Sequence, residues 1–567
     1  MNLRPLPIGI DDFKQVIIEN YYYVDKTLMI KELLDKKGAV TLFTRPRRFG
    51  KTLNMSMLQY FFENTGNRKI DLDNKKLFHN LKIGNAGAEY IEHMCKYPVI
   101  SLSLKSAKQA DFETAVYCIK EEIAREFKRH QTILDKIILP EDKRRYNDIM
   151  NQTGSSGDVA TSLRFLSECL NHAFQEKVII LIDEYDVPLE NAHYNNFYDK
   201  MVGFIRSLFE SALKTNPHLQ FAVITGCLRI SRESIFTGLN NLNVMSILSS
   251  QYDEYFGFQP HEVETLLKDY HLEDCMDLVT KWYDGYRFGE AKVYNPWSVI
   301  NYVMEATSGS LSYPRPYWSN TSSNSIVRDL VEQANASAKS ELETLMAGGT
   351  IEKAVHEDIT YDTVYDSPDN LWNFLFFTGY LKQVSVRMDG RNLMITMAIP
   401  NEEVASIYDN TIRNWFRDEI KVQDLSALYR SMLNGEADIF QKELAQYLQQ
   451  SISYLDSREA FYHGFLLGIL GNLSDYLVQS NRESGDGRLD IIVRNLDVSK
   501  TPVILELKVS DTFKGLETAC DQALTQIEEK HYDAWLPDEG YSDVFHYGIA
   551  FFKKQCKIKS VYKQFNM

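Results

Sequence analysis

Short apolar runs punctuate the first 230 positions: Val40–Phe43 within AVTLFT, Val99–Leu104 within YPVISLSL, Val178–Ile182 within KVIILID and Leu219–Ile224 in LQFAVI. Runs of this length that barely alternate fit strands buried on both faces, as in a parallel sheet between layers of helices. Amphipathic stretches lie among them: LMIKELL after a cap near Asp25 or Thr27, and a helix from Asp111 to His130. The Gly/Ser cluster Gly154–Gly157 reads as a loop. Further on, Leu371–Leu381 (LWNFLFFTGYL) reads as an apolar helix, and Val384–Arg387 and Leu393–Ala398 alternate about Asp389-Gly390 as a hairpin. Residues 324–356 and 401–450 are helical in pattern. The last hundred positions bring another apolar helix (REAFYHGFLLGIL), the strands RLDIIV and VILELK joined by NLDVSK, and the helix QALTQIEEKHY. The pattern predicts an α/β chain in four parts: a sheet domain over 1–310, a helix-and-hairpin module over 311–400, a helical connector over 401–455 and an α/β domain over 456–567.

Composition narrows the picture in three respects. A chain of 567 residues is too long for one core, and 44% hydrophobic with 25% charged residues is the balance of a soluble globular protein. The seven cysteines are scattered, with no CxxC pair, which predicts a reducing compartment and no structural zinc. No apolar leader opens MNLRPLPIGIDDF, and the longest apolar run, near Phe461–Leu473, falls short of the ~20 residues a membrane span needs. A cytoplasmic protein that does not cross a membrane is therefore expected. The net charge of −16 repels nucleic acid overall, so a nucleic-acid site would have to be a local basic patch.

The first run leads into TRPRRFGKTLNM, where Gly50-Lys51-Thr52 match the close of a GxxxxGK[S/T] phosphate loop. In such a loop the backbone N–H groups and a helix N-terminus cradle phosphate, the lysine reaches its β and γ oxygens, and the hydroxyl ligates Mg²⁺. Arg47, Arg48 and Phe49 fall inside the loop, and Arg45 stands where the pattern has its first glycine. The run KVIILID ends in Asp183-Glu184, at the strand end where open α/β sheets bind ligands. Asp183 is placed to hold Mg²⁺ and Glu184 to polarise an attacking water. Thr225, at the end of LQFAVIT, can sense a γ-phosphate, and Arg229 or Arg232 can meet transition-state charge in cis or from a second subunit. The blander alternatives are a solvated acidic turn and surface arginines.

The phrases YYYVDKT, TLFTRPRRFGKTLNMSML, KVIILIDEYD, ITGCLRISRESIFTGLNNL, KWYDGYRFG with VYNPWSV, and YWSNTSS, in that order, resemble the AAA-ATPase-like family of prokaryotic proteins. That family's loop reads RPRRFGK[S/T], so Arg45 departs from the general pattern and not from the family. The resemblance covers residues 1 to about 330. It implies an additional-strand P-loop NTPase core with a helical lid, ATP as ligand, and Lys51, Thr52, Asp183 and Glu184 in the roles above. The aromatic stretch Trp282–Ser298 is the expected lid over the nucleotide. The apolar helix and hairpin of 371–398 suit a winged-helix-like module, read as internal packing with DNA contact through the wing as the lesser option.

In the C-terminal part, a hairpin centred near Val498 sets Asp490 opposite Glu506, on the face that Lys508 shares, while Ile491, Val493, Val503, Leu505 and Leu507 build the other. Two carboxylates suit Mg²⁺ or Mn²⁺, and the lysine beside them can position a water or offset phosphate charge. Asp490 with Glu506-Leu507-Lys508 resembles the D…ExK signature of the PD-(D/E)XK nuclease superfamily. That resemblance implies roles for Glu459 as a helical acid and for Gln526, or Gln522, with Tyr532 facing phosphate. The plain alternative is an ion pair on a solvated hairpin. Lys553, Lys554, Lys557, Lys559 and Lys563 supply a candidate basic patch, or else a protected sheet edge.

The expected function is an ATP-binding, ATP-hydrolysing protein coupled to a Mg²⁺-dependent nuclease-like domain acting on DNA or RNA. The alternative is a non-cleaving nucleotide switch with a nuclease-derived binding module, and a P-loop kinase is a weaker third. Oligomers acting through Arg229 or Arg232 in trans would fit either of the first two.

Overall fold

The computed structural model describes residues 3–565 apart from 230–234, 237–238, 310–312, 319–326, 328–335, 358, 360, 362, 365–366, 422–423, 451–458, 472, 474 and 485–486. The chain forms two compact units, one of residues 1–323 with 352–407 and the other of 324–351 with 408–567. The hairpin module is thus part of the first unit, and most of the expected connector belongs to the second.

The first unit is built on five parallel strands: β1 (Val40–Thr44), β2 (Val99–Ser103), β3 (Val178–Asp183), β4 (Leu219–Gly226) and β5 (Leu242–Met245), ordered β2-β3-β4-β1-β5. All of β1 and β3 is buried, which is why their sequences do not alternate. β4 lies between the strand that feeds the phosphate loop and the strand that carries the acids, the arrangement of an additional-strand P-loop core. Helix α1 (Lys51–Phe62) follows β1 directly, and α2 (Phe112–Arg129) begins where Asp111 accepts from the Thr114 N–H. Helix α3 (Val187–Tyr194) leaves β3 after one turn.

The aromatic stretch forms a small hairpin, β6 (Tyr286–Phe288) with β7 (Ala291–Val293), followed by α4 (Pro296–Thr307). Beyond it, β8 (Ile351–Ala354), β9 (Lys382–Asp389) and β10 (Asn392–Ala398) make a three-stranded sheet in the order β8-β10-β9 beside α5 (Pro368–Thr378). The helix stops three residues before the expected Leu381, because Gly379, at φ +92°, caps it. The expected link at Tyr313–Tyr317 is described, whereas most of YWSNTSS and residues 324–326 and 328–335 lie outside the described residues. Of the remaining stretch expected to be helical, Ala336–Met346 is a helix but Ile351–Ala354 is strand β8 instead, paired into the hairpin sheet.

The second unit holds β11 (Leu477–Ser484), β12 (Gly487–Arg494), β13 (Val503–Val509), β14 (Asp543–Phe552) and β15 (Gln555–Gln564), in that spatial order. β13 and β14 are parallel, joined through helix α9 (Leu516–Glu529), and the other neighbours are antiparallel. Helices α6 (Ser426–Leu433) and α7 (Ala437–Gln450) lie where a connector was expected. They pack on the sheet instead: the Tyr547 hydroxyl donates to the Met432 carbonyl, and Phe440 meets the Tyr547 ring edge-on. Helix α8 (Glu459–Leu470) completes the unit, its Tyr462 stacked on Phe551.

Candidate functional site

At the carboxyl ends of β1, β3 and β4 the phosphate loop wraps back on itself. Gly50 caps α1 at φ +84°, a left-handed conformation that glycine adopts at little cost. The Lys51 ammonium, buried, donates to the carbonyls of Arg45 and Pro46 at 2.9 Å each and lies 3.6 Å from the Cys227 sulfur. The Thr52 hydroxyl donates to Asp183 Oδ2 at 2.7 Å, and the Thr225 hydroxyl donates to the other oxygen of the same carboxylate. Glu184 sits at φ +53°, with its N–H directed to the Thr225 hydroxyl, and burial together with the Asp183 charge pushes its carboxyl up. A half-buried carboxylate so raised is suited to accept a proton from water.

The hydroxyl–carboxylate pair Thr52–Asp183 and the first-turn N–H groups of α1 fit a Mg²⁺–triphosphate, since Mg²⁺ commonly takes only one or two protein oxygens. No group of three or more His, Cys, Asp or Glu at metal-binding separation occurs among the described residues. Lys51, Thr52, Asp183, Glu184 and Thr225 therefore meet in one place.

The arginines do not gather there in the same way. Arg47 pairs with Glu190 of α3, beside the buried ring of Tyr361. Arg48, at φ +70°, lies over the Trp297 ring at 4.4 Å. Phe49 is a core side chain, packed against Tyr286 and Phe288, so only its backbone is left for a ligand. The aromatic stretch expected as a lid thus braces the loop through Phe49. Arg229 is engaged by Glu357 at 3.0 Å, and the same carboxylate accepts from Ser246. Arg232 lies outside the described residues.

Several groups here escaped the sequence reading. Asp186 is buried and accepts from the Cys227 and Leu228 N–H groups, tying the turn after β3 to the turn after β4. Tyr185 lies so close to Gly226 that a Cβ there would stand 2.5 Å from its ring. The signal was present in the acids of DEYDVPLE, which outnumber what a single Mg²⁺ ligand and one base require.

In the second unit, the β12–β13 ladder pairs Ile491 with Leu505, Ile492 with Ile504 and Val493 with Val503, a register centred on position 498. The pairing ends there. One residue further, the Asp490 carboxylate accepts the Leu507 N–H at 2.8 Å in place of a strand-to-strand bond. Glu506 is 1% exposed, its Oε1 lies 3.4 Å from the Lys508 ammonium, and its Oε2 has no hydrogen-bond partner among the described residues. Burial, then the Asp490 charge, pushes the Glu506 carboxyl up to about 7. Two adjacent carboxylates, one with an orphaned buried oxygen, are a donor set that fits a divalent cation.

Gln526 of α9 donates to the Tyr532 hydroxyl at 3.1 Å, and that phenol feels the charges of Glu506, Asp490 and Lys508. Ile492, Ile504, Ile527 and Tyr532 form one cluster, which sets α9 against the face that carries the carboxylates. Glu459 begins α8, but its side chain lies outside the described residues. His463 on the same helix, unforeseen, has Nε2 at 3.1 Å from the Asp490 carbonyl. The expected basic patch is partly neutralised, since Lys559 pairs with Asp521 and Lys563 with Asp533, while Lys554 keeps its charge and donates to the Gln449 carbonyl.

Among the described residues no helix is long and apolar enough to cross a membrane. The chain is 24% identical over 542 residues to a protein of Azotobacter chroococcum mcd 1 described as "Uncharacterized protein in vnfD 5'region", covering 94% of this chain and 93% of that one. Among solved structures, the Aeropyrum pernix ORC2 protein in its ADPNP-ADP complexes is 11% identical, covers 68% of this chain and 92% of its own, and superposes with a TM-score of 0.24, too low to bear on fold or function. Residues 7–236 match the model of the predicted AAA-ATPase family, and residues 457–561 match the model of the PD-(D/E)XK nuclease superfamily. The chain therefore joins an AAA-ATPase-like domain to a C-terminal PD-(D/E)XK nuclease superfamily domain.

Proposed function

We propose that this protein binds and hydrolyses ATP and that its nucleotide state governs a divalent-metal-dependent phosphodiesterase acting on DNA or RNA. The observation that carries the reading is the orphaned Glu506 oxygen beside Asp490 and Lys508, in a chain whose other unit brings Lys51, Thr52, Asp183 and Glu184 together. At the first site Lys51 exchanges its loop carbonyls for phosphate oxygens, Thr52 and Asp183 hold Mg²⁺, Thr225 reports on the γ-phosphate, and Glu184 takes the proton of the attacking water. At the second, Asp490 and Glu506 would hold a divalent cation, which when bound would supply Lewis-acid activation of a water and of the phosphate. Lys508 orients that water, and Gln526 with Tyr532 faces the scissile strand.

A non-cleaving switch is the second reading, and the Arg47–Glu190 and Arg229–Glu357 pairs favour it, because both tie up cations that hydrolysis would use. Purified wild-type, Lys51→Ala and Glu506→Ala proteins, assayed for ATP turnover and for cleavage of single- and double-stranded DNA and RNA, separate the two. Lys51→Ala should abolish turnover, and Glu506→Ala should abolish metal-dependent cleavage while leaving turnover intact. Stoichiometric bound nucleotide without turnover or cleavage in the wild type would establish the switch.

A further inference from the structure

Arg45 occupies the position at which the general phosphate-loop pattern has a glycine, and its side chain is 0% exposed. Its Nη1 donates to the carbonyls of Thr44 and Met245, at the ends of β1 and β5, and its guanidinium carbon lies 5.1 Å from the centroids of both Phe256 and Phe288. Nε and Nη2 have no hydrogen-bond acceptor, and no carboxylate pairs with the group among the described residues. Two aromatic faces and two carbonyls offset part of the cost of burying a cation, but not the whole of it. Burial pulls the guanidinium down to about 9, and Asp253 is the acid whose charge works against that.

Arg45 is also bound to the loop through its backbone. Its N–H donates to the Gly226 carbonyl, and its own carbonyl accepts from the Lys51 ammonium. A buried charge with no paired carboxylate among the described residues, attached to the first residue of an anion-binding loop, has an obvious complement in the anion itself. We infer that Arg45 is a positioning residue for the nucleotide: its guanidinium holds the start of the loop and supplies positive potential beneath it that a bound triphosphate balances. The charge then destabilises the nucleotide-free protein and tightens the complex. This inference rests on the ATP-binding reading of the first site.

The test uses full-length wild type, Arg45→Met, Arg45→Lys and Lys51→Ala, in thermal unfolding with and without Mg·ATP and in titration with a fluorescent ATP analogue. Nucleotide-free Arg45→Met, close to arginine in length and apolar, should melt a few degrees above wild type. It should bind ATP roughly tenfold more weakly, the scale for one unit charge acting on a triphosphate through a part-protein dielectric. Arg45→Lys should recover part of that affinity. A purely structural arginine gives the opposite result: Arg45→Met melting below wild type or failing to fold, or binding ATP as tightly as wild type, overturns the inference. Wild type and Lys51→Ala that alike bind no nucleotide refute the ATP-binding reading itself, a failure visible before any Arg45 variant is compared.

Discussion

Glu403 offers a sharp energetic test of the first unit. Its carboxylate is 0% exposed and accepts from the Trp318 N–H at 2.9 Å and from the Ser298 hydroxyl, which joins α4 to the start of the helix that carries it. Burial pushes this carboxyl from 4.5 to about 7, and the donated hydrogen bonds recover only part of the shift. The folded chain thus holds a proton that the unfolded chain releases. Stability from this group is complete below pH 4.5 and declines as pH rises through about 7, above which the full penalty applies. At about 1.36 kcal/mol per decade, the span from 4.5 to about 7 gives a penalty of about 3 kcal/mol. Glu403→Gln keeps both accepted hydrogen bonds and cannot ionise. Denaturant unfolding of both proteins from pH 5 to pH 8, followed by tryptophan fluorescence, should give similar stabilities at pH 5 and a gap that widens to about 3 kcal/mol in favour of Glu403→Gln by pH 8. Parallel pH profiles, or a variant less stable than wild type at pH 8, would refute a buried, proton-holding glutamate.

Other substitutions probe the sites directly. Glu506→Gln removes a buried carboxylate with an orphaned oxygen, so it should raise the melting temperature in chelator and abolish the rise that Mn²⁺ gives the wild type; equal responses to Mn²⁺ would remove Glu506 from the metal site. Glu357→Gln removes the Glu357 charge from its partly buried pair with Arg229 at a stability cost of about 1 kcal/mol, and if Arg229 acts on phosphate it should change ATP turnover several-fold, measured by phosphate release. Gly226→Ala would drive a Cβ to 2.5 Å from the Tyr185 ring and 2.9 Å from Asp186, so it should cost about 1–3 kcal/mol or more and disable nucleotide binding; a stable, ATP-binding variant would show that this turn relaxes freely.

The parts legible in the sequence are those set by local rules. β1 and β3 announced themselves because a strand covered on both faces need not alternate, and the β12–β13 register followed from the symmetry of one hairpin about position 498. Convergence of Asp490, Glu506 and Lys508 was then a matter of counting residues. What stayed hidden depends on residues far apart in the chain. Glu357 reaches Arg229 across 128 positions, and Tyr547 reaches Met432 across 115, and neither pair has a periodicity to betray it. Residues 401–455 read as a connector because amphipathic helices reveal that they have an apolar face but not which sheet receives it.

Arg45 shows a deeper limit, because the rule that identifies the loop supplies no reason for an arginine there. A pattern match counts the residue as a missing glycine. Its carbonyl nevertheless still receives the Lys51 ammonium, so the loop's backbone role survives the substitution and the side chain is left to act beneath it. Arg47 is diverted by a similar long-range partner, Glu190, although its sequence neighbours place it on the loop. The loop's charges are therefore held in three ways: Lys51 buried against the loop's own carbonyls, Arg47 held aside by a carboxylate, and Arg45 buried with no paired carboxylate among the described residues. If the Arg45 charge acts from within the protein, raising ionic strength should leave its contribution to ATP binding almost unchanged, because salt screens solvent-exposed charges and hardly reaches a buried one. ATP affinities of wild type and Arg45→Met, measured between 0.05 and 0.5 M salt, should then fall in parallel; a gap that closes with salt would place the Arg45 effect at the surface.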